Sequence, residues 1–290
     1  ELLQIFQSNK LDELAELIAR PREEFQNLLS KYHGIQFYNE DNFDLNKTLE
    51  ELVPETKLGD IWQLGNHKII CADCTDQRSI EKVIGHAQIS LTFIDPPYNI
   101  GFNYRDLNDK KSDAEYHNFI KTVFSVMMEL KTNLIITSGP RNIGIWETIC
   151  KPSDIGTWRE PNSRSGGSAF HFRRCEPILF YGKFNKRTDD YFEFSSNIDQ
   201  SLIIVEKQNS ITSENHAPAK PFKLMVELLR CYSNQNDIIL DPFLGLGTML
   251  IACEQTNRIC YGVEIDPRYV DVVVKRWQNY TNKQAVKISE

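Results

Sequence analysis

The chain has 290 residues, of which 41% are hydrophobic and 25% are charged, as in an ordinary soluble globular protein. It contains no apolar run of about 18 residues, which excludes a transmembrane helix, and its scattered, odd-numbered cysteines are typical of a cytoplasmic protein rather than a disulfide-rich one. The net charge of −7 is already present in residues 1–60, which carry 13 Asp/Glu and 6 Lys/Arg, so the rest of the chain is neutral. A nucleic-acid partner is therefore not excluded, and no set of cysteines and histidines has the spacing of a metal site.

Helical periodicity predicts two short amphipathic helices within residues 1–30, the second of them beginning at Pro21. Residues 39–60 are acidic and contain few large apolar side chains, a composition typical of a linker. We therefore expect an acidic, helical N-terminal segment and linker over residues 1–60. The main domain is expected to comprise residues 61–290.

The main domain begins with strands and a helix in alternation. Periodicity predicts a strand at residues 67–71, a helix near residues 79–85 and a second strand at residues 89–94. The order strand–helix–strand is the unit of a parallel sheet. Further along, residues 99–113 predict a long polar loop, and residues 151–175, rich in Pro, Gly, Ser and Arg, predict an irregular region.

The second predicted strand leads directly into Asp95-Pro96-Pro97-Tyr98. The strand must end there, because neither proline can donate a hydrogen bond to a sheet ladder. In open α/β sheets the carboxyl edge of the strands is where ligands bind. Asp95 and a neighbouring carbonyl could accept the two N–H groups of a planar amino-bearing ring, and Tyr98 could stack on its face. A strand that merely ends in a proline turn is the alternative.

Basic residues are concentrated in residues 157–187, which carry seven Lys/Arg against two acidic residues. A local excess of this kind could contact phosphate groups, although a solvated charged face is the alternative. The residues predicted to contact phosphates, in this region and in the polar loop, are Arg105, Lys110, Lys111, Arg159, Arg164, Arg173 and Arg174.

A strand, a glycine turn and a helix are predicted in that order around residues 237–248. The two glycines permit a tight turn and the close backbone approach that a bound nucleotide requires. Glu264 lies at the end of the next predicted strand, 23 residues beyond Asp241, where a carboxylate can hold a ribose diol. A nicotinamide cofactor is the alternative, but Leu250 stands where its fingerprint requires a third glycine.

Four segments in this order resemble the amino-methyltransferases of DNA, in the permuted beta class whose target-base motif precedes its S-adenosylmethionine motif. The segments are residues 65–73, 95–98, 216–221 and 241–248. The resemblance extends over residues 61–280. The sequence departs from the family at Leu246, where serine is common, and at Ala217-Pro218-Ala219, where Pro-Thr-Gln is common.

The resemblance implies an α/β, Rossmann-like methyltransferase fold with a mostly parallel seven-stranded sheet, helices on both faces and a circularly permuted order of motifs. Residues 157–215 would be the target-recognition region. The partners would be DNA and, in a homodimer, a second copy of the chain. Residues 1–64 resemble the segment that precedes such methylases when they are fused to a ParB-like domain, which would then lie upstream of Glu1 in a longer protein.

The activity implied by the resemblance is methylation of DNA at N6 of adenine, with S-adenosyl-L-methionine as cofactor. Methylation of cytosine N4, a non-catalytic DNA-binding subunit, and methylation of RNA or protein are the alternatives. The family implies an extruded base whose amino hydrogens are accepted by Asp95 and the Pro96 carbonyl, while Tyr98 stacks on its ring and Pro97 completes the turn. The cofactor would be held, without a metal, by Asp73, Lys220, Asp241, Phe243, Gly245, Gly247, Thr248, Glu264 and Asp266.

Overall fold

The computed structural model describes most of the chain from residue 41 to residue 288. The residues within that span that it does not describe are 42, 102, 105–106, 109, 160–174, 185–201 and 205–219. The chain divides into two compact units between Asn39 and Glu40, and every described residue belongs to the second unit. The helices predicted within residues 1–30 therefore lie outside the described residues.

Short, mostly apolar runs form the strands of the second unit. The described strands are β1 (Ile61–Leu64), β2 (His67–Cys71), β3 (Leu91–Ile94), β4 (Asn103–Tyr104), β5 (Leu107–Asn108), β6 (Asn133–Thr137), β7 (Asp154–Arg159), β8 (Cys175–Tyr181), β9 (Leu202–Ile204), β10 (Ile238–Asp241), β11 (Ile259–Glu264) and β12 (Val286–Ile288). β4 and β5 form a separate two-stranded hairpin within the predicted polar loop. Residues 151–175 were expected to be irregular, but β7 begins within them because it pairs with β8 over six residues.

Seven described α-helices accompany the strands. They are α1 (Leu45–Glu51), α2 (Gln77–Ile84), α3 (Asp113–Glu129), α4 (Ile143–Ile149), α5 (Phe222–Tyr232), α6 (Thr248–Gln255) and α7 (Pro267–Thr281). Local sequence explains several of their ends: Ser112 and Glu115 form a capping box at the start of α3, and Asp266 caps α7 just before Pro267. Among the described helices, none combines the length and the apolarity that crossing a membrane requires.

Ten of the described strands form one mixed sheet in the order β12-β1-β2-β11-β10-β3-β6-β8-β7-β9. The central strands β2, β11, β10, β3 and β6 are parallel, whereas β8 runs antiparallel to both β6 and β7. The prediction of seven strands was wrong, because β1 and β12 extend the sheet at one edge and β9 extends it at the other. These edge strands have three or four residues each, too few for a clear periodic signal.

The order of the strands reverses between β3 and β10. The chain leaves β3 towards β6 on one side and leaves β10 towards β11 on the other. Such a switch point opens a crevice at the carboxyl ends of parallel strands. Because Leu240 is aligned with Thr92, and Asp241 with Gly262, the residues that follow β3, β10 and β11 meet at one edge of the sheet.

Helices cover both faces of the central strands. Ile70, Ile94 and Leu240 belong to one buried cluster together with side chains of α2, α3 and α4. Their neighbours Ile69 and Ile239 are equally buried but point to the opposite face, since successive side chains of a strand alternate. On that face α7 contacts β2 and β11, and α6 contacts α5.

Residues 41–60 pack on the main domain, although their composition predicted a linker ending at residue 60. α1 contacts α7, and the buried Asp271 carboxylate of α7 accepts hydrogen bonds from the backbone N–H groups of Glu55 and Thr56 at 2.9 and 3.1 Å. Glu40 and the residues that follow it therefore belong to the same compact unit as the main domain. Acidic composition did not distinguish a solvated linker from a segment whose carboxylates are partnered in the fold.

Candidate active site

The turn after β3 is held through its carbonyl groups. The Tyr116 hydroxyl donates to the Pro97 carbonyl at 2.8 Å, and Asn142 Nδ2 donates to the Tyr98 carbonyl at 2.9 Å. Gly139 lies so close to the Tyr98 ring that a Cβ added there would be 3.1 Å from Tyr98 Cδ2. Because two prolines remove the N–H groups of this turn, side-chain donors from α3 and from the segment after β6 fix its shape.

Asp95 lies at the carboxyl end of β3 and is half-buried. Its Oδ1 atom accepts hydrogen bonds from Thr137 Oγ1 at 2.6 Å and from the Tyr98 hydroxyl at 3.2 Å, and it is 3.2 Å from Lys220 Nζ. These contacts all use the same oxygen. Within the described part of the chain Oδ2 has no hydrogen-bond donor, so it can accept one from a ligand.

Lys220 joins the turn after β3 to β8. Its ammonium group donates to the Tyr98 hydroxyl at 2.7 Å, lies 4.5 Å from the centroid of the Tyr98 ring and is 3.4 Å from Glu176 Oε2. Burial alone would lower the pKa of Lys220, but the negative charges of Asp95 and Glu176 outweigh burial and hold the pKa well above its usual value. The charged lysine thus pairs with both carboxylates.

The resemblance implies that Lys220 lies at the cofactor. In the structure its ammonium group contacts Asp95 and Tyr98. Glu176 was not singled out in the sequence, where it counted only as one of two acidic residues in a basic region. Its proximity to Asp95 depends on the pairing of β8 with β6, which no local pattern predicted.

The glycine turn, residues 242–247, connects β10 to α6. The backbone N–H of Gly245 donates to Glu264 Oε2 at 2.8 Å, which ties the turn to the end of β11. Gly245 and Gly247 have φ angles of +52° and +75°, a region that L-residues with a Cβ rarely adopt. At the start of the turn, the backbone N–H of Phe243 donates to Asp241 Oδ1 at 3.0 Å.

The two glycines of this turn face different surroundings. A Cβ on Gly247 would lie 2.9 Å from Val273 Cγ1 of α7, so this glycine is required for helix packing. A Cβ on Gly245 would meet only the Phe243 carbonyl, at 3.9 Å, among the described atoms. The space beside Gly245 is therefore open, and it is there that the backbone can approach a ligand.

Two carboxyl groups beside this turn are almost fully buried: Asp241 is 3% exposed and Glu264 is 9% exposed. Burial, together with the negative charges of Asp95 and Glu264, raises the pKa of Asp241 to about 8, although the N–H group of Phe243 opposes the change. Burial likewise raises the pKa of Glu264 to about 7, although N–H groups of Asp266 and Gly245 oppose the change. A ligand with a positive charge and several hydrogen-bond donors would complement these carboxyl groups.

The ligand-free protein is expected to lose thermal stability as the pH rises from about 4 to about 8. Both pKa values are raised on folding, from 3.8 for Asp241 and 4.5 for Glu264, so the folded state holds more protons between those values and the raised ones. Stability from this source is complete below pH about 4 and is lost as the pH passes 7 to 8. The melting temperature of the Asp241→Asn variant should depend less on pH than that of the wild type. An identical dependence would contradict the raised pKa of Asp241.

The other residues predicted for the cofactor lie near the ends of β2, β10 and β11. Asp73 is exposed, and its Oδ1 accepts hydrogen bonds from the N–H and hydroxyl of Thr75, both at 2.8 Å. Asp266 donates its N–H to Glu264 Oε1 at 2.8 Å. Phe243 lies in the glycine turn and Thr248 begins α6. The structure thus brings the predicted set together around one edge, with Lys220 on the side of Asp95.

The residues predicted to contact phosphate are described only in part. Lys110 and Lys111 are exposed, and Asn99 closes their loop by accepting the Lys111 N–H at 2.7 Å and donating to its carbonyl at 3.0 Å. Arg159 ends β7. The remaining four predicted residues, Arg105, Arg164, Arg173 and Arg174, lie outside the described residues.

Comparisons with known sequences identify relatives of this chain. A family model for N6 and N4 methyltransferases, described as DNA methylase, matches residues 89–275. The type II methyltransferase M.HpaI of Haemophilus parainfluenzae is 24% identical over 72% of this chain and 74% of its own length. The DNA adenine methyltransferase YhdJ of Escherichia coli strain K12 is 24% identical over 72% of this chain and 84% of its own length.

Solved structures share the fold. The cytosine-N4-specific PvuII DNA methyltransferase aligns with a TM-score of 0.58 and 15% identity, over 74% of this chain and 87% of that one. The M1.HpyAVI–SAM complex aligns with a TM-score of 0.51 and 22% identity, over 72% of this chain and 98% of that one. Because the family model matches more than half of this chain, the chain belongs to the N6/N4 family of DNA methylases, whose methyl donor is S-adenosyl-L-methionine (SAM).

Proposed function

We propose that this protein is a site-specific DNA methyltransferase that transfers a methyl group from SAM to N6 of adenine. The observation that carries the proposal is the placement of Asp95 and Tyr98, at the end of β3, next to the buried Asp241 and the glycine turn at the end of β10. An aspartate at position 95 favours adenine, since related enzymes that act on cytosine N4 more often have serine there. The similarity to an adenine methyltransferase, YhdJ, supports the same choice.

The base side of the proposed site requires acceptors for an amino group and a surface for a ring. The base must leave the DNA helix, because N6 of a paired and stacked adenine cannot reach a bound cofactor. Asp95 Oδ2 and the Pro96 carbonyl would accept the two N6 hydrogens, which directs the nitrogen lone pair towards the methyl group. Stacking on Tyr98 would contribute about 1–3 kcal/mol.

Lys220 has a supporting part in this arrangement. Its ammonium group lies 3.2 Å from Asp95 Oδ1 and so holds the carboxylate in place while Oδ2 faces the base. As the nitrogen attacks, positive charge develops on the amino group, and the anionic Asp95 would stabilise that charge. The chain's own contribution to the rate would then be placement of the base and electrostatic stabilisation.

The cofactor side of the proposed site fits SAM by its chemistry. The cofactor supplies a methyl group on a positively charged sulfur, together with an ammonium group and a ribose diol. Asp241 would accept from the ammonium group and Glu264 from the ribose hydroxyls, since each carboxylate has lone pairs beyond those that the backbone N–H groups occupy. The open space beside Gly245 would admit the ligand, and Asp73 and Asp266 would line the adenine end.

Other parts of the proposal concern recognition and assembly. In the permuted order that we propose, the base-binding turn precedes the glycine turn along the chain. Residues 157–215, together with Lys110 and Lys111, would contact DNA. Association of two copies and a ParB-like domain preceding residues 1–64 remain predictions.

The function is tested by producing the protein in a bacterial host without DNA methylation and sequencing the host DNA with detection of modified bases. We expect N6-methyladenine at one short recurring sequence, and a much smaller methylated fraction of those sites in a host that produces the Asp95→Ala variant. N4-methylcytosine would contradict the choice of base and support the second candidate, which the similarity to the PvuII enzyme favours. Unmodified DNA with a folded, SAM-binding protein would contradict catalysis.

A further inference from the structure

Arg276, on α7, is a buried cation that connects the N-terminal part of the described chain to the glycine turn. Its side chain is 2% exposed. Its Nη1 donates to the Leu246 carbonyl at 2.8 Å, within the glycine turn. Its Nε and Nη2 donate to the two carboxylate oxygens of Asp41, each at 2.6 Å. One guanidinium group therefore bridges a distant carboxylate and the backbone of the turn.

Apolar contacts reinforce this connection. The Leu246 side chain packs in a buried cluster with Leu45 of α1 and Val272 of α7. The Arg276 guanidinium carbon lies 5.0 Å from the centroid of the Phe43 ring. Since Leu246 stands where serine is common in the family, the apolar side chain at this position matches the apolar face that α1 presents to it. Residues 41 and 43–52, which we name the strap, thus contact the Leu246 side chain directly and reach its carbonyl through Arg276.

We propose that Asp41 and Arg276 are positioning residues for the cofactor site, with the strap holding the glycine turn in its binding shape. The bidentate contact with Asp41 fixes the plane of the guanidinium group. In that orientation a third N–H group points at the Leu246 carbonyl. The next residue towards the N-terminus is Gly245, whose N–H binds Glu264. A shift of the Leu246 carbonyl would move both the open space beside Gly245 and the Glu264 carboxylate.

This inference rests on the proposed function, because it takes the glycine turn as the SAM site. Removing the charge of Asp41 would leave the buried guanidinium group with a weaker partner, and Arg276 would then be free to tilt away from the turn. The affinity for SAM should fall. Asp95 and Tyr98 should keep their geometry, because they follow β3 and not β10. The effect is therefore expected in the KM for SAM and not in the KM for DNA.

The test compares Asp41→Asn with Asp271→Asn in the full chain. Both aspartates are buried carboxylates that attach the N-terminal region to α7, but Asp271 binds the backbone of Glu55 and Thr56 and has no bond to the glycine turn. We expect Asp41→Asn to raise the KM and Kd for SAM about tenfold, with kcat and the KM for DNA unchanged within about twofold. Asp271→Asn should lower the melting temperature and leave the Kd for SAM unchanged.

Equal losses of stability in both variants, with wild-type Kd for SAM in each, would show that the Asp41–Arg276 pair only braces the fold. If Asp41→Asn fails to fold, the double variant Asp41→Asn, Arg276→Gln removes both buried charges and should show the same increase in Kd. A folded double variant with wild-type affinity would overturn the inference. The Gly245→Val variant distinguishes a failure of this inference from a failure of the proposed cofactor site. Unchanged SAM binding in Gly245→Val would overturn the proposed cofactor site itself.

Discussion

Replacing Asp95 by alanine is expected to lower the methylation rate by about 10- to 150-fold, while the Kd for SAM changes by no more than a few fold. The expectation follows from the loss of a hydrogen bond to a charged acceptor, worth about 1.5–3 kcal/mol, at the atom that positions the base amino group. The variant also removes a carboxylate that lies 3.2 Å from the buried Lys220 ammonium. Single-turnover rates and calorimetric titration with SAM would measure the two quantities separately.

Two further variants test whether the loss of activity depends on the charge of Asp95. Asp95→Asn preserves the size of the side chain but not its charge, so it should remain strongly impaired. Thr137→Val removes only the 2.6 Å hydrogen bond to Asp95 Oδ1 and leaves the carboxylate in place, so its effect should be smaller. Activity of Asp95→Ala above about a tenth of the wild-type rate would contradict the assigned role.

Replacing Gly245 by valine is expected to abolish measurable SAM binding without unfolding the protein. The added Cβ would point into the open space beside the turn, where among the described atoms only the Phe243 carbonyl lies within 4 Å, at 3.9 Å. The side chain would thus occupy the volume that the cofactor requires. Gly85→Val is the matched control, because Gly85 has a similar φ of +58° and open surroundings but lies at the end of α2. It should add a β-branched residue at a positive φ away from the glycine turn and keep SAM affinity.

Gly247→Val should behave differently from Gly245→Val. Its Cβ would collide with Val273, 2.9 Å away, so this variant should lose thermal stability through disrupted packing of α7. Calorimetry and melting curves for the three glycine variants therefore distinguish a filled cofactor site from a damaged fold. A folded Gly245→Val variant that retains wild-type affinity would place the cofactor elsewhere.

Local sequence patterns were sufficient to predict the individual elements of the candidate site. An apolar run before two prolines predicts a strand that ends at Asp95, and β3 does end at Ile94, directly before it. The glycines after Asp241 predict a tight turn into a helix, and α6 begins immediately after Gly247. These features depend on backbone sterics and on contacts between residues close in the chain, so local patterns were sufficient.

The contacts between groups far apart in the chain depend on how the strands pair and the helices pack. The placement of β3 beside β10 brings Asp95 close to Asp241, and the pairing of β6 with β8 brings Glu176 to Lys220. The sequence predicted a linker at residues 39–60, but Asp41 forms a buried ion pair with Arg276, 235 residues further along the chain. Composition describes how polar a segment is, whereas burial depends on a partner that is remote in sequence. Strand pairing and helix packing select that partner, and no pattern within a single segment carries the information.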